Sequence, residues 1–102
     1  MINIKVSKQD DFITEVTIKG HSGYDELGKD NVCASVSSIS ITTINACMRL
    51  ENEKIQYEEK DGFLDIKVKE NSRVINILMN NMIDLFKDLE EDYPNYIKIS
   101  FK

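Results

Sequence analysis

The dipeptide Asp61-Gly62 separates two short segments in which apolar and polar residues alternate. Ile55 and Tyr57 precede it at a spacing of two, and Leu64, Ile66 and Val68 follow it at the same spacing. Asp-Gly between alternating runs is one of the strongest local signals for a two-residue β-hairpin turn. The pattern therefore predicts two antiparallel strands in the second half of the chain.

Four further elements follow from the spacing of apolar residues. Alternation over residues 1–19, interrupted at residues 9–11, predicts a first hairpin, and alternation over Tyr96–Phe101 predicts a last strand. Two segments instead have apolar residues at steps of three and four, which is typical of helices. One runs from about Asn31 to Leu50 and the other from about Asn71 to Asp92. The resulting order, ββαββαβ, predicts an α+β fold with two helices on one face of a small antiparallel or mixed sheet.

Each predicted helix has a stripe of apolar residues and a candidate cap. The stripe of the first contains Val32, Val36, Ile39, Thr43, Ala46 and Leu50, widened by Ile41, Ile44 and Met48. The stripe of the second contains Ile75, Leu78, Met82, Leu85 and Leu89. Asp30 is the candidate N-cap of the first helix, Ser72 or Asn71 that of the second, and Pro94 lies just beyond the second.

Length and charge exclude several classes of function. A chain of 102 residues forms a single domain over residues 1–102, with a core too thin for a deep enclosed cavity. The net charge is −5, and the lysines and arginines form no cluster, which argues against direct binding of nucleic acid. No segment has the ~18 consecutive apolar residues of a membrane helix, and the N-terminus lacks the apolar region of a signal peptide. We therefore expect a cytoplasmic protein with no membrane partner.

The two cysteines, Cys33 and Cys47, cannot form a disulfide with each other if both lie in the first predicted helix. Fourteen residues of helix separate them by about 21 Å, whereas a disulfide requires Cα atoms within about 7 Å. One histidine and no paired-cysteine motif make a structural zinc site improbable. We expect no metal and no cofactor. Cys47, beside Ala46 and Met48, is typical of a packed core residue.

Cys33 differs from Cys47 because of what precedes it. Residues 20–30 hold three of the four glycines and the only histidine, His21. If Asp30 caps the helix, Cys33 lies in the first turn, where free N–H groups and the helix dipole favour a thiolate. The amides of Cys33 and Ala34 would then be free to bind an oxyanion. A loop that folded back to bring His21 to Cys33 would form an activated nucleophile.

The residues around Cys33 resemble the signature of the ribosomal-processing cysteine protease family, called Prp, which fixes His, Gly, Asp and Cys at set spacings. The matching run is Gly20-His21-Ser22-Gly23-Tyr24, Gly28, Asp30, Val32-Cys33-Ala34 and Val36-Ser37. Ser22, Asn31 and Ser35 depart from the family pattern, and none of them replaces the nucleophile or the base. Chain length and element order fit the family along the whole sequence.

The resemblance implies a role for each matched residue. Cys33 would be the nucleophile and His21 the general base, while Asp30 and Ser37 would support the site or contact the substrate. Gly20, Gly23 and Gly28 would let the intervening loop move over the groove and order on a peptide. The family removes a short N-terminal extension, which ends in a hydrophobic segment with aromatic residues, from large-subunit ribosomal protein number twenty-seven. The resemblance also implies that the protein forms a homodimer.

The residues themselves leave other functions open. A small sheet with open edges could bind a peptide as an added strand without catalysis, and an acidic surface would attract basic partners. Cys33 could instead be a redox-active or acyl-carrying thiol. A purely structural protein of ribosome assembly would give the loop and the two reactive residues no role. Ser37 is as compatible with an inert helix surface as with a substrate contact.

Overall fold

The computed structural model describes residues 1–20 and 27–102, with the main chain alone for residues 27–30. The predicted order of elements is confirmed. The elements are β1 Ile2–Gln9, β2 Phe12–Lys19, α1 Leu27–Glu51, a short 3₁₀ turn Asn52–Lys54, β3 Ile55–Lys60, β4 Phe63–Val68, α2 Arg73–Asp92 and β5 Ile97–Phe101.

Both predicted hairpins are present. In the first, β1 and β2 are joined at Asp10, which has a positive φ of 57°. In the second, Asp61-Gly62 joins β3 to β4, and Gly62 has a φ of 70°. Aspartate and glycine are among the residues that adopt a positive φ most readily, which is consistent with turns at these two positions.

The five strands form one mixed sheet in the order β3-β4-β2-β1-β5. Neighbouring strands are antiparallel except β1 and β5, which are parallel. Because β4 pairs with β2, the turn at Asp61-Gly62 lies beside the end of β2. The amide of Gly20 donates a hydrogen bond to the carbonyl of Gly62 at 3.0 Å. This long-range pairing places the second hairpin beside Gly20, the residue that precedes His21 in the sequence.

The core lies between the sheet and the two helices and is built mainly from isoleucine and valine. Its fully buried large side chains include Ile4, Ile13, Ile66, Ile75, Ile97, Val6, Val16, Val32, Met79, Met82 and Phe86. On the strands these residues alternate with exposed ones, as expected for a sheet with one covered face.

The face that α2 buries is rotated from the predicted stripe. Ile75 and Met82 are buried as expected, but Leu85 is 40% exposed, whereas Met79 and Phe86 are fully buried. Apolar residues extend beyond a single stripe of this helix, so neighbouring elements decide which face is covered. In the structure α2 contacts α1, β2 and β5. The predicted cap is Ser72, whose hydroxyl accepts a hydrogen bond from the amide of Ile75 at 3.1 Å.

The apolar stripe of α1 is only partly buried. Val32, Val36, Thr43, Ile44 and Cys47 are buried. The predicted members Ile41, Met48 and Leu50 are 48%, 36% and 62% exposed, respectively.

The start of α1 differs from the prediction by four residues. The helix begins at Leu27, so Asp30 is its fourth residue and not its N-cap, and Gly28 lies within the helix and not in a loop. A single glycine costs a helix only about 1 kcal/mol, and an aspartate in the first turn interacts favourably with the helix dipole. Neither residue therefore ends a helix of 25 residues.

None of the helices in the described parts of the chain combines the length and apolar character that crossing a membrane requires.

Candidate active site

An open groove of about 510 Å³ lies between α1 and one end of the sheet, and we call it the Cys33 groove. Ile2, Ile18, Val36 and Leu64 give it an apolar floor, and Cys33 opens into it. The β3–β4 hairpin forms the wall opposite α1 with residues 59–64. The groove therefore combines an apolar floor with an accessible thiol.

Cys33 is half-buried and packs partly against the core. With α1 starting at Leu27, Cys33 is the seventh residue of the helix, in its second turn. Only the first four amides of a helix lack an intrahelical acceptor, so the amides of Cys33 and Ala34 are committed to the helix. The predicted oxyanion role of these two amides is therefore wrong, and so is the placement of the thiol in the first helical turn.

Ser37 and Ile41 continue the α1 wall of the groove beyond Cys33. Residues four apart lie on the same helix face, and the eight residues from Cys33 to Ile41 span about 12 Å at ~1.5 Å per residue. Ser37 is exposed, so its hydroxyl is available to a bound chain. Ser40, also in the groove, instead donates its hydroxyl to the carbonyl of Val36 at 2.7 Å.

Gly20 fixes the end of β2 at the rim of the groove. Its φ is +126°, and a Cβ placed there would lie 2.3 Å from the carbonyl oxygen of Met1. The close approach of Met1, together with the hydrogen bond to Gly62, holds this strand end between two neighbouring segments. His21 is the next residue in the sequence. His21 and Gly23 themselves lie outside the described residues.

Of the predicted site residues, Cys33, Ser37 and Gly20 line one groove. Ala34 is exposed and lines a different groove, on the side of α1 that faces α2. Gly28 and Asp30 lie in the first turn of α1, where the main chain is described. Among residues 1–20 and 27–102, no three histidine, cysteine, aspartate or glutamate side chains are grouped so that they could hold a metal ion.

Cys47 lies on the same helix as Cys33 but in a different environment. It is completely buried in the core, as predicted, and both cysteines are free thiols. Burial raises the pKa of the Cys47 thiol to about 11, and the carboxylate of Glu51 acts in the same direction. Cys47 is therefore protonated at neutral pH and out of reach of a substrate, which leaves Cys33 as the accessible thiol.

Most of the residues that line the Cys33 groove are not predicted by the sequence. Ile41, Lys60 and Phe63 line it, yet only the pairing of β4 with β2 brings the hairpin residues there. Ile41 was assigned to the widened core stripe, but its side chain is about half exposed on the groove wall.

A family model described as cysteine protease Prp matches residues 1–98 of the chain. The chain belongs to this Prp family. It is thus an enzyme, a cysteine protease that hydrolyses peptide bonds, and the resemblance noted around Cys33 extends over almost the whole sequence. A thiol at the edge of an open groove is consistent with that chemistry.

Relatives of the Prp family from Staphylococcus aureus match over their full length. The ribosomal processing cysteine protease Prp of strain Mu50 is 28% identical over 106 residues, covering 100% of both chains. A crystal structure of S. aureus Prp with a covalently linked product peptide has a TM-score of 0.90 at 26% identity. Another, with a substrate peptide, has a TM-score of 0.92 at 25% identity. Each structure is covered completely and covers all of this chain.

Proposed function

We propose that this Prp-family protease processes a ribosomal protein, with Cys33 as nucleophile and His21 as general base. The observation that carries the proposal is the placement of the thiol: Cys33 opens into a groove whose α1 wall continues to Ile41, about 12 Å along the helix. The S. aureus relative whose crystal structure holds a covalently linked product peptide supports the same chemistry. We propose the N-terminal extension of large-subunit ribosomal protein number twenty-seven as the substrate.

The proposed reaction is acyl transfer. His21 accepts the proton of the Cys33 thiol, and the thiolate sulfur attacks the scissile carbonyl carbon. The tetrahedral intermediate collapses, His21 donates the proton to the leaving amine, and the N-terminal part of the substrate remains as a thioester on Cys33. Water, deprotonated by His21, then hydrolyses the thioester and restores the thiol. The balance requires only water, so no cofactor or metal is needed.

The oxyanion requires donors other than the two helix amides of Cys33 and Ala34. Ser37 is exposed one turn from Cys33 on the same wall of the groove, and we propose that its hydroxyl contacts the substrate close to the reacting carbonyl. The hydroxyl of Ser40 already donates to the carbonyl of Val36. We also propose that four residues support the active site: Gly20, Gly23, Gly28 and Asp30. Asp30 lies in the first turn of α1.

The lining of the Cys33 groove also supports a proposal about which substrate side chains the enzyme prefers. Its floor is apolar, and Ile41 exposes about half of its side chain about 12 Å from Cys33 along the helix. An extended chain advances about 3.3–3.6 Å per residue. Ile41 therefore contacts a substrate side chain three or four residues from the scissile bond, and an apolar or aromatic side chain fits there best.

The test is cleavage of the extended ribosomal protein, read by mass spectrometry, with the wild type and the variants Cys33→Ala, His21→Ala and Cys47→Ala. We expect one defined N-terminal cut by the wild type and by Cys47→Ala, and none by the other two. Equal losses in Cys33→Ala and Cys47→Ala would contradict the assignment of the nucleophile. Binding of the protein without a cut by any form would contradict processing of this substrate.

We further propose that the enzyme acts in the cytoplasm, where ribosomal proteins are made, and that it is a homodimer, as the family resemblance implies. Light scattering on the purified protein measures the second point directly. A mass close to twice 11.8 kDa supports the dimer, and a mass close to 11.8 kDa contradicts it.

A further inference from the structure

A second groove, of about 450 Å³, lies between α1 and α2, and we call it the α1–α2 groove. Ile39, Leu85 and Leu89 give it apolar surface, and Leu85 is 40% exposed. Ala34 is among its lining residues and follows Cys33 directly in the sequence. The helix α1 thus separates this groove from the Cys33 groove, so the two binding surfaces share one helix.

Asp88 and Asp92 of α2 line the same groove. They stand near the C-terminal end of the helix, whose last turn contains no basic residue. Carboxylates are unfavourable there because the carbonyl end of the helix dipole is itself negative. In the parts of the chain that the structure describes, no lysine or arginine forms an ion pair with either aspartate. Both carboxylates therefore lie beside the apolar surface with no compensating cation among the described side chains.

The neighbouring acidic residue Glu90 has a structural role, in contrast to the two aspartates. Glu90 lies between the two aspartates in sequence, and its carboxylate accepts a hydrogen bond from the amide of Ile99 at 2.8 Å. Glu90 thereby satisfies an N–H group of β5, which is the edge strand of the sheet. Among the described side chains, neither Asp88 nor Asp92 has such a partner, so a positively charged segment with apolar side chains would complement the groove.

A second copy of this chain is a poor occupant of the α1–α2 groove. The chain carries a net charge of −5, and a two-fold interface at this groove would bring the same pair of carboxylates together from both copies. A basic segment of the protein substrate would have the opposite charge, and in the proposed function the same substrate lies on the other side of α1. The helix is about 10–12 Å across, a distance that three or four extended residues span.

We propose that the α1–α2 groove is an exosite of the protease. It binds a basic segment of the substrate protein that carries apolar side chains and lies beyond the fourth residue from the scissile bond. This inference rests on the proposed function, because it assumes that a protein chain is cleaved in the Cys33 groove. The exosite would let the enzyme distinguish a complete protein substrate from a short peptide with the same cleavage site.

The test compares two substrates and two matched double variants. Asp88→Asn with Asp92→Asn removes the charge from the groove. Asp10→Asn with Asp11→Asn removes the same charge from the β1–β2 turn, where asparagine also tolerates the positive φ of residue 10. The substrates are the extended ribosomal protein and a peptide that ends four residues from the scissile bond on each side.

For the groove variant we expect kcat/KM on the protein to fall about 10-fold at low salt and kcat/KM on the peptide to stay unchanged. The loss should shrink at high salt, because the interaction is electrostatic. The turn variant should resemble the wild type on both substrates. Equal losses on protein and peptide, or no loss on either, would overturn the exosite. So would a change of oligomeric mass in the groove variant.

A binding measurement separates failure of the exosite from failure of the proposed function. In the Cys33→Ala background, fluorescence anisotropy measures the affinity for the labelled ribosomal protein with and without the two groove substitutions. If the wild type cleaves nothing but the groove substitutions weaken binding about 10-fold, the processing proposal fails, while the α1–α2 groove remains a binding site for this protein. Leu85→Ala, which changes no charge, should also weaken binding, and unchanged binding in both variants would overturn the exosite.

Discussion

Replacing Gly20 with alanine should displace the strand end that leads into His21. Gly20 has a φ of +126°, which L-residues rarely adopt, and an added Cβ would lie 2.3 Å from the carbonyl oxygen of Met1. It would also lie 3.1 Å from the Cα of Ile2. Both neighbours are main chain, so the side chains cannot rotate away to relieve the contact.

The size of the effect follows from these distances. Real Cβ contacts are not shorter than 3.0 Å, so the segments must separate by at least 3.0 − 2.3 = 0.7 Å. Strain of this kind costs about 1–3 kcal/mol, equivalent to a fall in Tm of roughly 4–20 °C for a domain of this size. A misplacement near 1 Å at a catalytic group can cost about 100-fold in rate. We expect kcat/KM for Gly20→Ala to fall about 10- to 100-fold.

The assay combines thermal unfolding with cleavage kinetics, measured well below the Tm of the variant. Lys19→Arg is the matched control, because it alters an exposed side chain at the adjacent position without straining the main chain and keeps a cation near the ring of Phe63. The control should remain close to the wild type in both measurements. If Gly20→Ala had an unchanged Tm and cleaved within twofold of the wild type, the role assigned to this strand end would be refuted.

Three further predictions concern a cap, the two thiols and the far end of the groove. Ser72→Ala should lower the free energy of unfolding by about 1–2 kcal/mol, because the hydroxyl caps α2 and also donates to Glu51. Urea denaturation measures this loss, with Asn71→Ala as the control. An equal loss in the two variants would contradict the role of the cap. Iodoacetamide at pH 8 should modify Cys33 but not Cys47, since a pKa of about 11 leaves roughly 0.1% of the buried Cys47 thiol ionised. Peptide mapping that found the two cysteines equally modified would refute this prediction. Ile41→Ala should raise KM about 10-fold for peptides with an apolar side chain three or four residues from the scissile bond. Peptides with glycine there should be unaffected, and an equal increase for both would disprove the contact.

The elements of this fold could be predicted from the sequence because their signals are local. Alternation and the Asp61-Gly62 turn define strands from a few neighbouring residues, and Ser72 marks the start of α2 in the same way. The start of α1 was less accessible, because a helix of 25 residues tolerates Gly28 and Asp30 in its first turn. The faces that the helices bury also depend on packing, which is why Leu85 is exposed and Phe86 is buried.

The candidate site was only partly predictable for a related reason. Cys33 and Ser37 are one helical turn apart, so their common wall follows from the sequence. The opposite wall depends on the pairing of β4 with β2, which joins residues far apart in the chain. No local pattern contains that pairing. Because α1 begins four residues earlier than predicted, the amides of Cys33 and Ala34 bond within the helix and are not free to bind an oxyanion. Both residues nevertheless lie in a helix, as the sequence predicts.

The central claim is that the Cys33 sulfur forms a covalent bond with the substrate, and trapping that bond tests it most directly. Wild-type enzyme is mixed with the extended ribosomal protein, quenched in acid within one turnover, and analysed by intact and peptide mass spectrometry. We predict an added mass equal to the released N-terminal fragment minus one water, located on the peptide that contains Cys33 and absent in Cys33→Ala. Cleavage by Cys33→Ala at the wild-type rate, or an adduct on Cys47, would contradict the account.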